Sequence, residues 1–181
     1  VVREIPVGRS YLPYDGCFDD GSWVIEQSAM GTDSSRLIRL VRYNNAGTVL
    51  DTLGTFREGQ FSLFMNSSTS FAVRGMRLYV ADPRASEVRI YDTAGKLTEI
   101  VRSDDPIVKT TAAERDAMMP MVSVATADQA ILDRFKERVR TAPRPTEWPA
   151  FGRMMVDPDG RIWIEDYHRN RTDPSVWTAF S

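Results

Sequence analysis

The chain has 181 residues, 42% hydrophobic and 27% charged, an ordinary globular composition that argues against disorder. Its 23 basic and 25 acidic residues leave a net charge of -2, so no basic surface points to nucleic acid, and no apolar run reaches the roughly 20 residues that would insert through a bilayer. A single cysteine, Cys17, excludes an internal disulfide, and a single histidine, His168, excludes any multi-histidine metal centre within the chain.

In chain order, Val1 to Val7 reads as an outer strand whose own partners are missing. Next come four short extended segments. Cys17-Phe18 is followed by a turn at Asp20-Gly21 and by Trp23-Val24-Ile25. Leu40-Val41-Arg42-Tyr43 is followed by the turn Asn44-Asn45-Ala46-Gly47 and by Val49 to Leu53. The same order recurs: Phe71-Ala72-Val73, Gly75, Leu78-Tyr79-Val80, then Val88-Arg89-Ile90-Tyr91, Asp92-Thr93-Ala94-Gly95 and Leu97 to Val101. A third round starts at Met154-Met155-Val156 with the turn Asp157-Pro158-Asp159-Gly160, passes through Ile162-Trp163-Ile164, and stops within Trp177 to Phe180. The unit is four strands, A to D. Trp23, Tyr79 and Trp163 are expected at matching places in successive units.

Between the second and third units the character changes. Thr111-Ala112-Ala113-Glu114 has the form of a capping box, in which hydroxyl and carboxylate satisfy each other's orphan amides, and Pro120 must stop that helix. Thr126 to Gln129 offers a second box. Ile131, Leu132, Phe135 and Val139 then fall on one helical face, and Pro143 and Pro145 end the helix near Arg140. This helix is expected either to dock its apolar stripe on a sheet or to form a lid, with Met118, Met119 and Met121 as adaptable contacts.

Strands such as Leu78-Tyr79-Val80 are apolar on both alternating faces, so each sheet should be covered on both sides. The expected fold class is therefore all-β: a partial β-propeller of three four-stranded antiparallel blades with a helical insertion. Its parts are an outer strand (1–8), two blades (9–57 and 58–102), the insertion (103–148) and a truncated blade (149–181).

On the runs from Phe71 to Asp82, Glu87 to Leu97 and Met154 to Glu165, the chain resembles the six-bladed β-propellers of the TolB-like and NHL-like kind, common in bacteria. That resemblance implies a binding role and a periplasmic or secreted setting. Three blades are half of such a ring, so the expected partners are the remaining blades of a parent chain or a second copy, whose Val1 to Val7 would complete the Trp177 blade.

The A–B and C–D connections are short, whereas the B–C and D–A connections (27–34, 57–69, 82–86, 102–150 and 166–175) are long. In a propeller the long ones emerge at one end, where a ligand or protein partner should be met. The candidate ligand-binding residues there are Asp82, Arg84, Glu165, Asp166, Tyr167, His168 and Arg169. Phe61, Phe64 and Asn66 could add an apolar patch or fill an interface. Glu26 and Glu165, aligned with Ala81, are weak candidates for Ca²⁺, a metal that favours oxygen ligands and that lactonase-type six-bladed propellers hold. No nucleophile elbow and no glycine-rich phosphate loop is legible, so the expected function is non-enzymatic binding without a cofactor. The alternative is a metal-assisted hydrolase of the lactonase or arylesterase type. Cys17, on an inner strand, is expected to be buried.

Overall fold

A computed structural model describes residues 16–30, 36–57, 64–65, 68–118, 128–169 and 174–180. The expectations for Val1 to Val7, Phe61, Asn66, Met119, Met121, Pro120 and Thr126 lie outside these residues.

The fold is all-β, with a small helical part. Three antiparallel sheets follow one another along the chain. The first contains β1 (Trp23–Met30), β2 (Arg36–Tyr43) and β3 (Val49–Arg57), and Cys17 makes a single bridge to Trp23 at its edge. The second contains β4 (Ser70–Arg74), β5 (Arg77–Asp82), β6 (Glu87–Tyr91) and β7 (Leu97–Arg102). The third contains β8 (Met154–Val156), β9 (Ile162–Glu165) and β10 (Trp177–Phe180).

One turn chemistry serves all three sheets. Asn44 Oδ1 accepts from the amides of Ala46 and Thr48, Asp92 Oδ1 from Ala94 and Lys96, and Asp157 Oδ1 from Asp159 and Arg161. Each turn closes at a glycine with positive φ, which needs no Cβ there.

The middle sheet is packed on both faces. Successive side chains on a strand point to opposite sides, and β5 uses this fully. Leu78 and Val80 pack with Val24, Ile38, Leu40 and Leu53 of the first sheet. Tyr79 and Ala81 pack with Phe151, Met154 and Ile162 beside or within the third.

Register fixes which positions are equivalent. Trp23 pairs with Tyr43 as Leu78 pairs with Tyr91, and Val73 pairs with Leu78 as Val156 pairs with Ile162. Trp23, Leu78 and Ile162 therefore match, as do Val24, Tyr79 and Trp163. The expected match of Trp23 with Tyr79 and Trp163 is off by one residue. Since one residue reverses the face, Trp23 lies with Ile25, Val41 and Tyr43 on the side of the first sheet opposite Val24, stacked on Tyr43 at 4.9 Å.

Two further expectations change. β1 continues to Met30, because Gln27 to Met30 pair with Arg39 to Arg36, so the first B–C connection is shorter than 27–34. Cys17 is exposed, because its neighbour Phe18 takes the inward-facing place in the core.

The insertion is closed at its base by an antiparallel bridge between Lys109 and Glu147, where Thr110 N donates to Thr146 O and Trp148 N to Val108 O. Helix α1 (Ala112–Ala117) carries the expected capping box of Thr111 and Glu114. Helix α2 (Gln129–Thr141) is capped by Asp128, whose carboxylate accepts from Ala130 and Ile131. Phe135 and Val139 of α2 pack on Phe64, Met65, Met118, Trp148 and Tyr167. The helix thus docks on connecting segments rather than on a sheet face, and Ile131, 39% exposed, is not part of the contact.

Candidate functional site

The loop end of the sheets collects most of the residues singled out from sequence, but in separate groups. Asp82 ends β5, and its carboxylate accepts from the backbone N–H of Arg84 at 3.0 Å and from Arg84 Nε at 2.8 Å. Burial alone would raise the Asp82 carboxyl; the Arg84 guanidinium and amide outweigh it and hold it below the ordinary range. Glu87, opposite Asp82 in the register, accepts from Arg89 and Arg102, which likewise outweigh burial. Asp82, Arg84, Glu87 and Arg89 line a crevice between the first and second sheets, with Phe56 and Arg57 on its other wall.

Glu165 is the centre of the second group. Its side chain is 3% exposed, at the end of β9. Arg153 donates from Nε to Oε2 at 2.6 Å and from Nη2 to Oε1 at 2.8 Å. Ser175 Oγ donates to Oε1 at 2.8 Å, and His168 Nε2 lies 3.2 Å from the same oxygen. The Arg153 hydrogen bonds, opposed by burial and aided by Ser175 and His168, bring the Glu165 carboxyl down from 4.5 to about 2.

Serine, histidine and glutamate therefore meet here, but not as a relay. A relay needs one imidazole nitrogen on the acid and the other on the hydroxyl. Here the same Nε2 faces both Glu165 and, at 3.4 Å, Ser175, whose proton is directed to the carboxylate. The group fastens Ser175 and His168 to the end of β9 through the Glu165 carboxylate.

Tyr167 and Arg169 belong to a third group with the insertion. The Tyr167 ring lies 5.8 Å from that of Trp148, with burial raising its phenol, and the Arg169 guanidinium sits 5.8 Å from the Trp148 ring centre on a cation–π contact. Phe64 is 5% exposed and fills this interface, with Arg144 at 4.1 Å from its ring centre. Asp166 stands apart: exposed, with its amide donating to Val176 O, it lines a crevice between the second and third sheets.

Glu26, Ala81 and Glu165 do occupy one register position in the three sheets, as the alignment implied. The Glu165 oxygens are taken by Arg153, Ser175 and His168, and among the described residues no three His, Cys, Asp or Glu gather as metal ligands. No family model, curated protein or solved structure matches the chain.

Sequence reasoning did not find Arg153, Ser175, Arg57 or Arg89. Arg153 and Ser175 lie 12 and 10 residues from Glu165 and reach it only through strand pairing. Arg57 did leave a signal: the outermost strands end alike, in Phe56-Arg57 and Val101-Arg102.

Proposed function

We propose that the chain forms successive blades of a six-bladed β-propeller and acts as a non-enzymatic binding module through its loop end. The observation that carries this reading is the alternation at equivalent positions. Leu78 and Ile162 face the preceding sheet, while Val24 and Tyr79 face the following one. Trp163, at the same position, is half-buried beside Met155, which is 48% exposed, on the third sheet's outer side. A further sheet, from a parent chain, covers that side in this reading.

The ligand site we assign is the crevice of Asp82, Arg84, Arg57 and Arg89. Its paired charges of both signs suit a small molecule bearing a carboxylate beside a hydrogen-bond donor, such as an amino acid or dipeptide. The resemblance noted from sequence extends the proposal to a periplasmic or secreted setting. The hydrolase alternative has less in its favour, because Glu165, its main candidate ligand, is committed to Arg153.

Ligand-observed NMR of the full chain against a panel of amino acids, dipeptides and simple carboxylates tests the site. Binding by some members, lost in an Asp82→Ala/Arg84→Ala double variant, is the expected result. A panel that does not bind, or binds the variant equally, removes the assignment.

A further inference from the structure

The crevice between the first and second sheets has a counterpart between the second and third. Register defines the correspondence. Val80 and Asp82 of β5 match Ile164 and Asp166 at the end of β9, and Arg89, opposite Val80, matches Thr178, opposite Ile164. On the outer strands Phe56 lies opposite Ile38, and Ser103, whose amide donates to Ser86 O, holds the matching place. Phe56, Asp82 and Arg89 line the first crevice; Ser103, Asp166 and Thr178 line the second.

The two crevices differ in charge. In the first, Asp82 carries its own cation, Arg84, which stands two residues further on and donates from Nε at 2.8 Å. Two residues after Asp166 stands His168, which lies 3.2 Å from Glu165 instead. No lysine or arginine is among the described residues that line the second crevice, and among the described residues none pairs with the Asp166 carboxylate. Asp105, on the second-sheet side of the rim, accepts at Oδ2 from Ser103 Oγ at 2.5 Å. Glu87 lines both crevices, but its carboxylate is already taken by Arg89 and Arg102. Below the rim, Val88 and Phe151, 4% and 3% exposed, form an apolar floor with Val101, Ile164 and Phe180.

We propose that this second crevice binds a small aliphatic amine in its ammonium form. The ammonium takes the place that the Arg84 and Arg89 guanidinium groups hold in the first crevice, and its short stem lies on the apolar floor. Its three donors meet acceptors of matching kind in the carboxylates of Asp166 and Asp105 and the hydroxyl oxygen of Thr178. A carboxylate ligand is rejected by the same two side chains, so the two crevices select ligands of opposite charge. The inference goes beyond the site assigned to Asp82 and Arg84 and does not depend on it. It rests on the shared register and on the exchange of Arg89 for Thr178.

Protein-observed NMR of the full chain, titrated with n-butylammonium, n-butanol and butyrate, tests the site with one stem and three charges. Saturable shifts at the amides of Val88, Val101 and Thr178 are expected with n-butylammonium, and at least tenfold weaker binding with the other two. Asp166→Asn should weaken the amine at least tenfold, and Thr178→Arg, which installs the first crevice's own cation, should abolish its binding. Both positions are exposed, and the remaining amide resonances report that the fold is kept. Absence of saturable shifts, equal binding of n-butanol, or an amine affinity unchanged in both variants would overturn the proposal. The Asp82→Ala/Arg84→Ala variant should bind n-butylammonium normally, so failure of the carboxylate site is read separately.

Discussion

Arg153 and Glu165 face each other through two parallel hydrogen bonds of 2.6 and 2.8 Å, the carboxylate 3% exposed and the guanidinium largely in solvent. The pair ties the segment before β8 to the end of β9, and Ser175 and His168 attach the following loop to the same carboxylate. Because the folded chain holds Glu165 at about 2, well below its ordinary value of 4.5, the ionised carboxylate stabilises the fold above pH 4.5. That contribution fades as the pH falls from 4.5 toward 2. Glu165→Gln should therefore lose stability at pH 7, by about 1–3 kcal/mol for hydrogen bonds to a charged group. It should also flatten the pH dependence between 4.5 and 2. Urea unfolding at a series of pH values checks both; a parallel offset across that range would contradict the assignment.

The middle sheet makes a second prediction, since Leu78 is fully buried between the first and second sheets. Leu78→Ala should cost about 2–5 kcal/mol, the transfer term plus the cavity left between two sheets that cannot collapse together. Met155, on the outer side of the third sheet, is 48% exposed, and Met155→Ala in this chain should stay within about 0.5 kcal/mol of neutral. Equilibrium urea unfolding of both variants compares them directly.

The strand order was legible because each sheet repeats the same punctuation: an apolar run, an Asn or Asp whose side chain closes the turn, and a glycine. Trp23 misled because an aromatic was matched to aromatics, whereas position after the turn decides the face, and that position in the second sheet holds Leu78. The extent of β1 was not legible because Gln27 and Ser28 lack an apolar pattern; strand pairing and the Gln27 Nε2 hydrogen bond to Tyr43 Oη carry it on. At the loop end, sequence named Glu165, His168 and Tyr167 together, yet two neighbouring residues serve different groups. His168 turns to Glu165, while Tyr167 turns to Trp148 and the insertion. Such a division depends on alternate directions of an irregular segment, which no periodicity encodes.

Helix α1 has six residues, too short to hold itself in water, and depends on its cap. Thr111 Oγ1 accepts from Glu114 N at 3.2 Å, and Glu114 Oε2 accepts from Thr111 N at 2.6 Å. Thr111→Ala should cost about 1 kcal/mol. The loss should be local, since the described contacts of α1 run to the Lys109–Glu147 bridge region and, through Met118, to the cluster of Phe64, Met65 and α2 rather than into a sheet. Hydrogen exchange should quicken over residues 112–118 while protection in β5 and β6 is unchanged; equal acceleration in both places would show that the insertion and sheets unfold together.

Gly95 closes the β6–β7 turn and Gly160 the β8–β9 turn, each over an aspartate and with φ of +74° and +83°, yet their surroundings differ. A Cβ at Gly95 would lie 2.7 Å from the carbonyl oxygen of Leu53, whose backbone in β3 cannot step aside without disturbing the first sheet. At Gly160 a Cβ would meet nothing within 4 Å. Gly160→Ala should thus pay only the left-handed backbone cost of about 1–2 kcal/mol. Gly95→Ala adds a clash at the junction where Arg42 Nη1 also bonds Thr93 O across the two sheets, so its loss must be larger. Thermal unfolding of the two variants side by side decides the matter: equal losses would mean that the turn of the second sheet does not press on β3.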